Sequence, residues 1–186
     1  GDLEIGCSRR AGDAQNIVLP YEACLTEEIW KSNRRAVLHR PLYYRTRVAL
    51  GGTTMALASR TGDLALTGEA IRLHRESLEL MPHSWPLWNR LAFAYVRLGR
   101  PSEALPAIER SLSISGERQN SSSAHCIAGL AHRDLEDLER AAVSLEECIR
   151  LRDFGPSARE AHRVLASVYQ RMGREDLAET HRELGR

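Results

Sequence analysis

The chain has 186 residues, 42% of them apolar and 27% charged, a length and balance that suit a domain with a buried core. Its 26 basic and 25 acidic residues leave a formal net charge of +1, so no global field draws it to nucleic acid or anionic lipid. No apolar run approaches the roughly 18–20 residues of a membrane span, and with only 5% aromatic residues the core must rest on many medium-sized aliphatic contacts.

Residues 1 to about 25 carry Gly1, Gly6, Gly12 and Pro20 with little periodicity, and suggest an irregular lead with a short extended piece at Asn16–Leu19. A helix is expected from Thr26, an N-cap type with Glu27 and Glu28 in its first turn. It should pass Trp30 and Val37 and stop before Pro41, whose predecessor avoids helical geometry. A longer helix follows from Leu42 to Thr61, broken at Gly62-Asp63, and another spans about 66–80 before Pro82. Trp85 to Leu98 and Ser102 to Ile114 make the clearest helix pair, turned at Gly99-Arg100-Pro101. Pro106 lies early enough in the second of these to cost at most one backbone bond. A polar connector, Gly116 to Ser123, leads to helices at about 123–133 and 138–151. After Gly155-Pro156, the capping box Ser157-Ala158-Arg159-Glu160 opens a helix to Met172, and a last helix starts near Glu175.

These pairs repeat at a spacing of 37 residues. Ala104, Ala141 and Ala178 fall in step, as do Leu91, Ala128 and Leu165 and the small residues Ala92, Gly129 and Ala166. Tyr95 and Tyr169 lie two periods apart, and so do Gly99 and Gly173. A fixed period in this range marks a stacked array of helix pairs, in which each unit buries its apolar face only against its neighbours.

Trp88, Leu91-Ala92, Tyr95, Gly99, Ala104 and Ile108 resemble the tetratricopeptide-repeat pattern, and Leu165-Ala166, Tyr169, Gly173 and Ala178 match it again. Ala128-Gly129, Leu135, Ala141 and Leu145 match more loosely, with His132 where tyrosine is expected. The preceding unit keeps Gly62, Ala70 and Pro82, with about three extra residues expected in its turn. The resemblance implies an all-α, right-handed α-solenoid of antiparallel helix pairs over residues 42–186, in units of about 42–84, 85–118, 122–155 and 159–186. Residues 1–41 would form the lead and one helix.

What the resemblance implies about function is a concave groove, lined by the first helix of each pair, that presents itself to a protein or peptide. By the family register its candidate residues are Asn89, Phe93 and Arg97, then Cys126, Leu130, Arg133 and Asp134, then Arg163, Ser167, Gln170 and Arg171. Arg97, Arg133, Arg163 and Arg171 either solvate an exposed helix face or form a basic strip able to hold a carboxylate, which would make the ligand acidic. The lysine/asparagine set by which some members grip chaperone tails is missing, because Phe93 and Leu130 stand at key places and Lys31 is the only lysine. Trp85, Trp88 and Tyr95 are read as packing residues, and Trp30 with Tyr43-Tyr44 as cover for the N-terminal end of the stack.

No catalytic, metal or cofactor motif stands out. The seven histidines include no H-E-x-x-H and no cysteine knuckle, although His125 and His162 share a repeat position. Cys7, Cys24, Cys126 and Cys148 form no C-x-x-C pair; scattered thiols favour a reducing compartment and hence the cytoplasm, with Cys126 a buried or groove-lining thiol. The last repeat lacks a polar capping helix, so either a partner covers its apolar end, with self-association the testable case, or the chain belongs to something longer. A second resemblance joins Trp30, Leu42-Tyr43-Tyr44, Leu50-Gly51 and Leu78–Ser84 to repeats appended to bacterial membrane proteins of the O-antigen polymerase/ligase type. It implies an extracytoplasmic accessory domain of a glycan-assembly protein.

Overall fold

The computed structural model describes residues 18–39, 44–116, 121–152 and 156–186. The expectations for Asn16, Ile17, Leu42 and Tyr43 lie outside the described residues, as do those for the side chains of Tyr44 and Ser157. In chain order the helices are α1 (Val18–His39), α2 (Tyr44–Thr61), α3 (Leu64–Leu80), α4 (Trp85–Arg97) and α5 (Pro101–Ser115). They continue with α6 (Ser122–Asp134), α7 (Leu138–Leu151), α8 (Pro156–Arg171) and α9 (Glu175–Leu184). No strand occurs among the described residues. Helix α1 begins well before Thr26, which therefore lies inside the helix and does not cap it. Pro20 explains the difference: in a first turn its missing N–H and fixed φ cost the helix nothing.

Each pair turns on a residue with positive φ, and these residues keep the repeat spacing. Gly62, Gly99 and Gly173 have φ of 70°, 73° and 73°, and Glu136 takes the same conformation at 63° without being glycine. The same backbone bond closes three of the turns, from Arg100 to Tyr95, Asp137 to His132 and Arg174 to Tyr169, each at 2.9 Å. The extra residues expected in the first unit's turn are absent. Gly62 stands one period before Gly99, and Thr67 takes the place of Ala104, 3% exposed, its hydroxyl donating to the Asp63 carbonyl at 3.2 Å. A satisfied hydroxyl lets threonine do the close packing that alanine does in later units. Asp63 caps α3 by accepting from the Ala65 and Leu66 amides at 2.8 and 3.2 Å, and Asp137 caps α7 through Arg140 at 3.2 Å.

Successive helices pack against one another from α1 to α9, which makes the stack. The first helices of the pairs also approach directly, α2 with α4, α4 with α6 and α6 with α8, whereas the Cα atoms of α3, α5, α7 and α9 stay more than 8 Å apart. The first helices are therefore the inner layer and the second helices the outer one. A stack closer on one side than the other curves, and the inner layer is its concave side.

Small residues set the spacing within pairs. Ala104, Ala141 and Ala178 are all fully buried. A Cβ on Gly129 would come 2.5 Å from Leu145 Cγ, and one on Gly51 would lie 2.8 Å from the His74 ring. Leu145 and Leu165, 1% and 0% exposed, are among the largest fully buried side chains. Burying each contributes about 1.5–3 kcal/mol. At the N-terminal end α1 lies on α2, with the Trp30 indole donating to Thr54 at 3.0 Å and the Asn33 amide to Thr53 at 3.3 Å.

Candidate functional site

The inner layer presents rows of residues that follow the 37-residue spacing. One row is Gly52, Asn89, Cys126 and Arg163; a second is Ala56, Phe93, Leu130 and Ser167; a third is Arg60, Arg97, Asp134 and Arg171. Phe93 and Leu130 are half-buried at the margin of the core, while Ser167 and Gln170 are exposed. Asn89 is 6% exposed: its amide nitrogen donates to the Ser123 hydroxyl at 2.7 Å, and its Oδ1 has no partner.

The arginines of the expected basic strip differ sharply from one another. Arg133 is turned onto Asp134 at 2.7 Å. Arg163 pairs with Glu160 at 3.3 Å and donates to the Gly185 carbonyl at 3.0 Å. Arg171 pairs with Glu136 of the preceding unit. Only Arg97 of the four makes no ion pair among the described residues. An acidic ligand at the other three would compete with an internal carboxylate.

Cys126 departs further from its expected role. Its sulfur is joined to that of Cys148 in α7, with the Cα atoms 5.1 Å apart, so it braces α6 against α7 and is not a groove thiol. With this pairing, the argument from thiols to a reducing compartment no longer holds.

Sequence reasoning missed a cleft of about 590 Å³ between α2, α4 and α6. Met55, Phe93 and Ile127 contribute its apolar surface, and Asn89, Arg90 and Ser123 its polar one. Arg90 is exposed and reaches across from α4: a Cβ on Gly52 of α2 would lie 3.6 Å from its Nη1. Under the cleft, His74 of α3 is fully buried with both ring nitrogens unpartnered. Burial first, and the Arg90 charge second, push its pKa down to about 4, so it is neutral at pH 7. The signal for this cleft is the small residue at 52 in a row otherwise filled by larger side chains, and it means nothing until α2 is placed beside α4.

Four further histidines sit in packed surroundings. His125 and His132 lie on the outer side of α6, and burial holds both below the usual imidazole range. His162 and His181 share a contact at 2.8 Å between their Nδ1 atoms, and burial lowers them too. No group of three side chains suited to a metal ion occurs among the described residues. Trp88 is tied to the Pro82 carbonyl at 2.9 Å, in keeping with a packing role.

Residues 86–118 and 122–153 match the tetratricopeptide-repeat family profile, and these are the α4–α5 and α6–α7 pairs. These two pairs are tetratricopeptide repeats. No curated protein matches it in sequence. Among solved structures it is similar to TTC0263, a thermophilic tetratricopeptide-repeat protein of Thermus thermophilus. That likeness has a TM-score of 0.70 at 21% identity, over 90% of this chain and 85% of the other. It is also similar to MamA, with a TM-score of 0.68 at 16% identity over 94% of both chains. In the Cut9–Hcn1 hetero-tetramer of the APC/C, 86% of this chain superimposes on 28% of the matched one, with a TM-score of 0.70 at 17% identity. At these identities the likeness establishes the shared fold, an α-solenoid of tetratricopeptide repeats.

Proposed function

We propose that the chain is a protein-interaction scaffold whose concave inner layer holds a segment of a partner protein. The observation that carries this reading is the middle row of the inner layer, where Phe93 and Leu130 stand half-open on adjacent first helices. Apolar side chains a repeat apart suit an extended chain, whose own side chains recur along one edge. The family supports it, because tetratricopeptide arrays generally act by binding other proteins. The Cut9 neighbour sits in an assembly with Hcn1, which illustrates the same fold in such a setting. No helix among the described residues is long and apolar enough to cross a membrane.

The test is the affinity for a partner recovered by affinity capture and then purified. Phe93→Ala with Leu130→Ala should weaken binding by about tenfold or more, the loss typical of a truncated interface anchor. Unchanged affinity in a variant that keeps its helical content refutes the groove assignment.

A second reading has one observation in its favour. The Cys126–Cys148 bond suits an oxidising compartment, and so the extracytoplasmic accessory domain to which the O-antigen polymerase/ligase resemblance points. Protein isolated from its native cell with thiols trapped at lysis should then carry the bond; fully reduced protein removes that support.

A further inference from the structure

We infer that the cleft between α2, α4 and α6 is where the scaffold selects its partner, and that it takes an extended segment with an acidic residue beside a bulky apolar one. The inference rests on the concave-face reading and sharpens it.

Charge is the first argument. Arg90 is exposed, makes no ion pair among the described residues, and lies over Gly52 at the edge of the cleft. No carboxylate lines the cleft, and His74 beneath it is neutral at pH 7, so the positive charge there is that of Arg90. Arg133, Arg163 and Arg171 already hold Asp134, Glu160 and Glu136, so an incoming acid meets internal competition there and none at Arg90. A guanidinium pairs with a carboxylate through two parallel N–H donors.

Hydrogen bonding is the second argument. Asn89 Oδ1 is a buried acceptor without a donor, which is costly to maintain in a structure. Ser123, exposed beside it, accepts from the Asn89 amide and keeps its own proton to donate. One wants an N–H and the other a C=O, the two groups that every extended peptide unit offers. A small side-chain adjustment of Asn89 brings its oxygen to such a ligand.

Space is the third argument. In the row of Gly52, Asn89, Cys126 and Arg163, only the first unit leaves the place empty. The room above Gly52 opens onto Met55, Phe93 and Ile127, an apolar surface for the neighbouring side chain.

The experiment uses two pools of short random peptides, fluorescently labelled, one with a fixed Asp-Leu pair and one with a fixed Lys-Leu pair. The intact chain should retain the Asp-Leu pool about tenfold better. Arg90→Glu should reverse the preference, and Gly52→Leu should abolish retention of either pool while thermal unfolding stays cooperative. Equal retention of both pools, an Asp-Leu preference that survives Arg90→Glu, or retention of neither pool overturns the inference. Self-association lost in Gly52→Leu also overturns it, because the occupant is then a second copy. The concave-face reading is judged separately by the Phe93 and Leu130 variants, which do not depend on charge.

Discussion

Glu136 is the residue that most visibly breaks a local rule. It holds φ at 63° in a turn whose counterparts at 62, 99 and 173 are glycine. A side chain in left-handed geometry costs roughly 1–2 kcal/mol, and the exposed Arg171–Glu136 pair offsets less than about 1 kcal/mol of it. Glu136→Gly should therefore stabilise the fold by about 0.5–1 kcal/mol, visible as a higher denaturant midpoint at unchanged slope. His74 makes a second claim at this scale. Its folded pKa of about 4 lies below the roughly 6.5 of an unfolded histidine, so the unfolded state takes up its proton first. Stability is then complete above about pH 6.5 and falls as pH drops towards 4, by about 3 kcal/mol in all. His125, His132, His162 and His181 shift in the same direction and add to the slope. Chemical unfolding at pH 7 and pH 5 should show the loss, and His74→Leu should make it shallower without lowering stability at pH 7. A loss of the same size in the variant would mean that His74 is not buried as described.

Between paired helices, equivalent places are filled in different ways. Gly51 meets the His74 ring, Cys126 is bonded to Cys148, and Arg163 donates to the Gly185 carbonyl. The spacing of these residues is written in the sequence, but which residue answers which depends on the antiparallel register of the pair, and no single-chain pattern supplies that. The Cys126–Cys148 bond is hidden in the sequence for this reason, since neither cysteine sits in a short motif. It closes a loop of 22 residues, and reducing it should lower stability by about 2–4 kcal/mol, read from unfolding with and without a thiol reductant. An equal midpoint in both conditions would show that the bond is not formed. Glycines inside helices give a matched contrast. Gly129→Ala pushes a methyl into Leu145 and should cost about 1–3 kcal/mol. Gly68→Ala meets nothing within 4 Å and should contribute up to about 1 kcal/mol of helix stability.

For the molecule as a whole, the architecture was legible because it depends on recurrence: Ala104, Ala141 and Ala178 announce the stack wherever they recur, and all three are fully buried. The first unit was harder to place because Thr67 stands where the eye seeks alanine. The site was legible only in part. Phe93 and Leu130 follow from the register, since exposure on an inner helix is a matter of period. The ion pairs that occupy Arg133, Arg163 and Arg171 do not, because each depends on a rotamer or on a neighbouring unit. Arg90 is not legible for the same reason in reverse: what matters is the side chain that Gly52 lacks on the adjacent helix. The central claim is that the inner layer, and not the outer one, meets the partner. It is tested most directly by placing a photo-reactive side chain either at Phe93 or at Val143, an outer-layer residue that is 66% exposed. Cross-linking to the purified partner from position 93 and not from 143 is the predicted result; cross-linking from 143 alone would contradict the account.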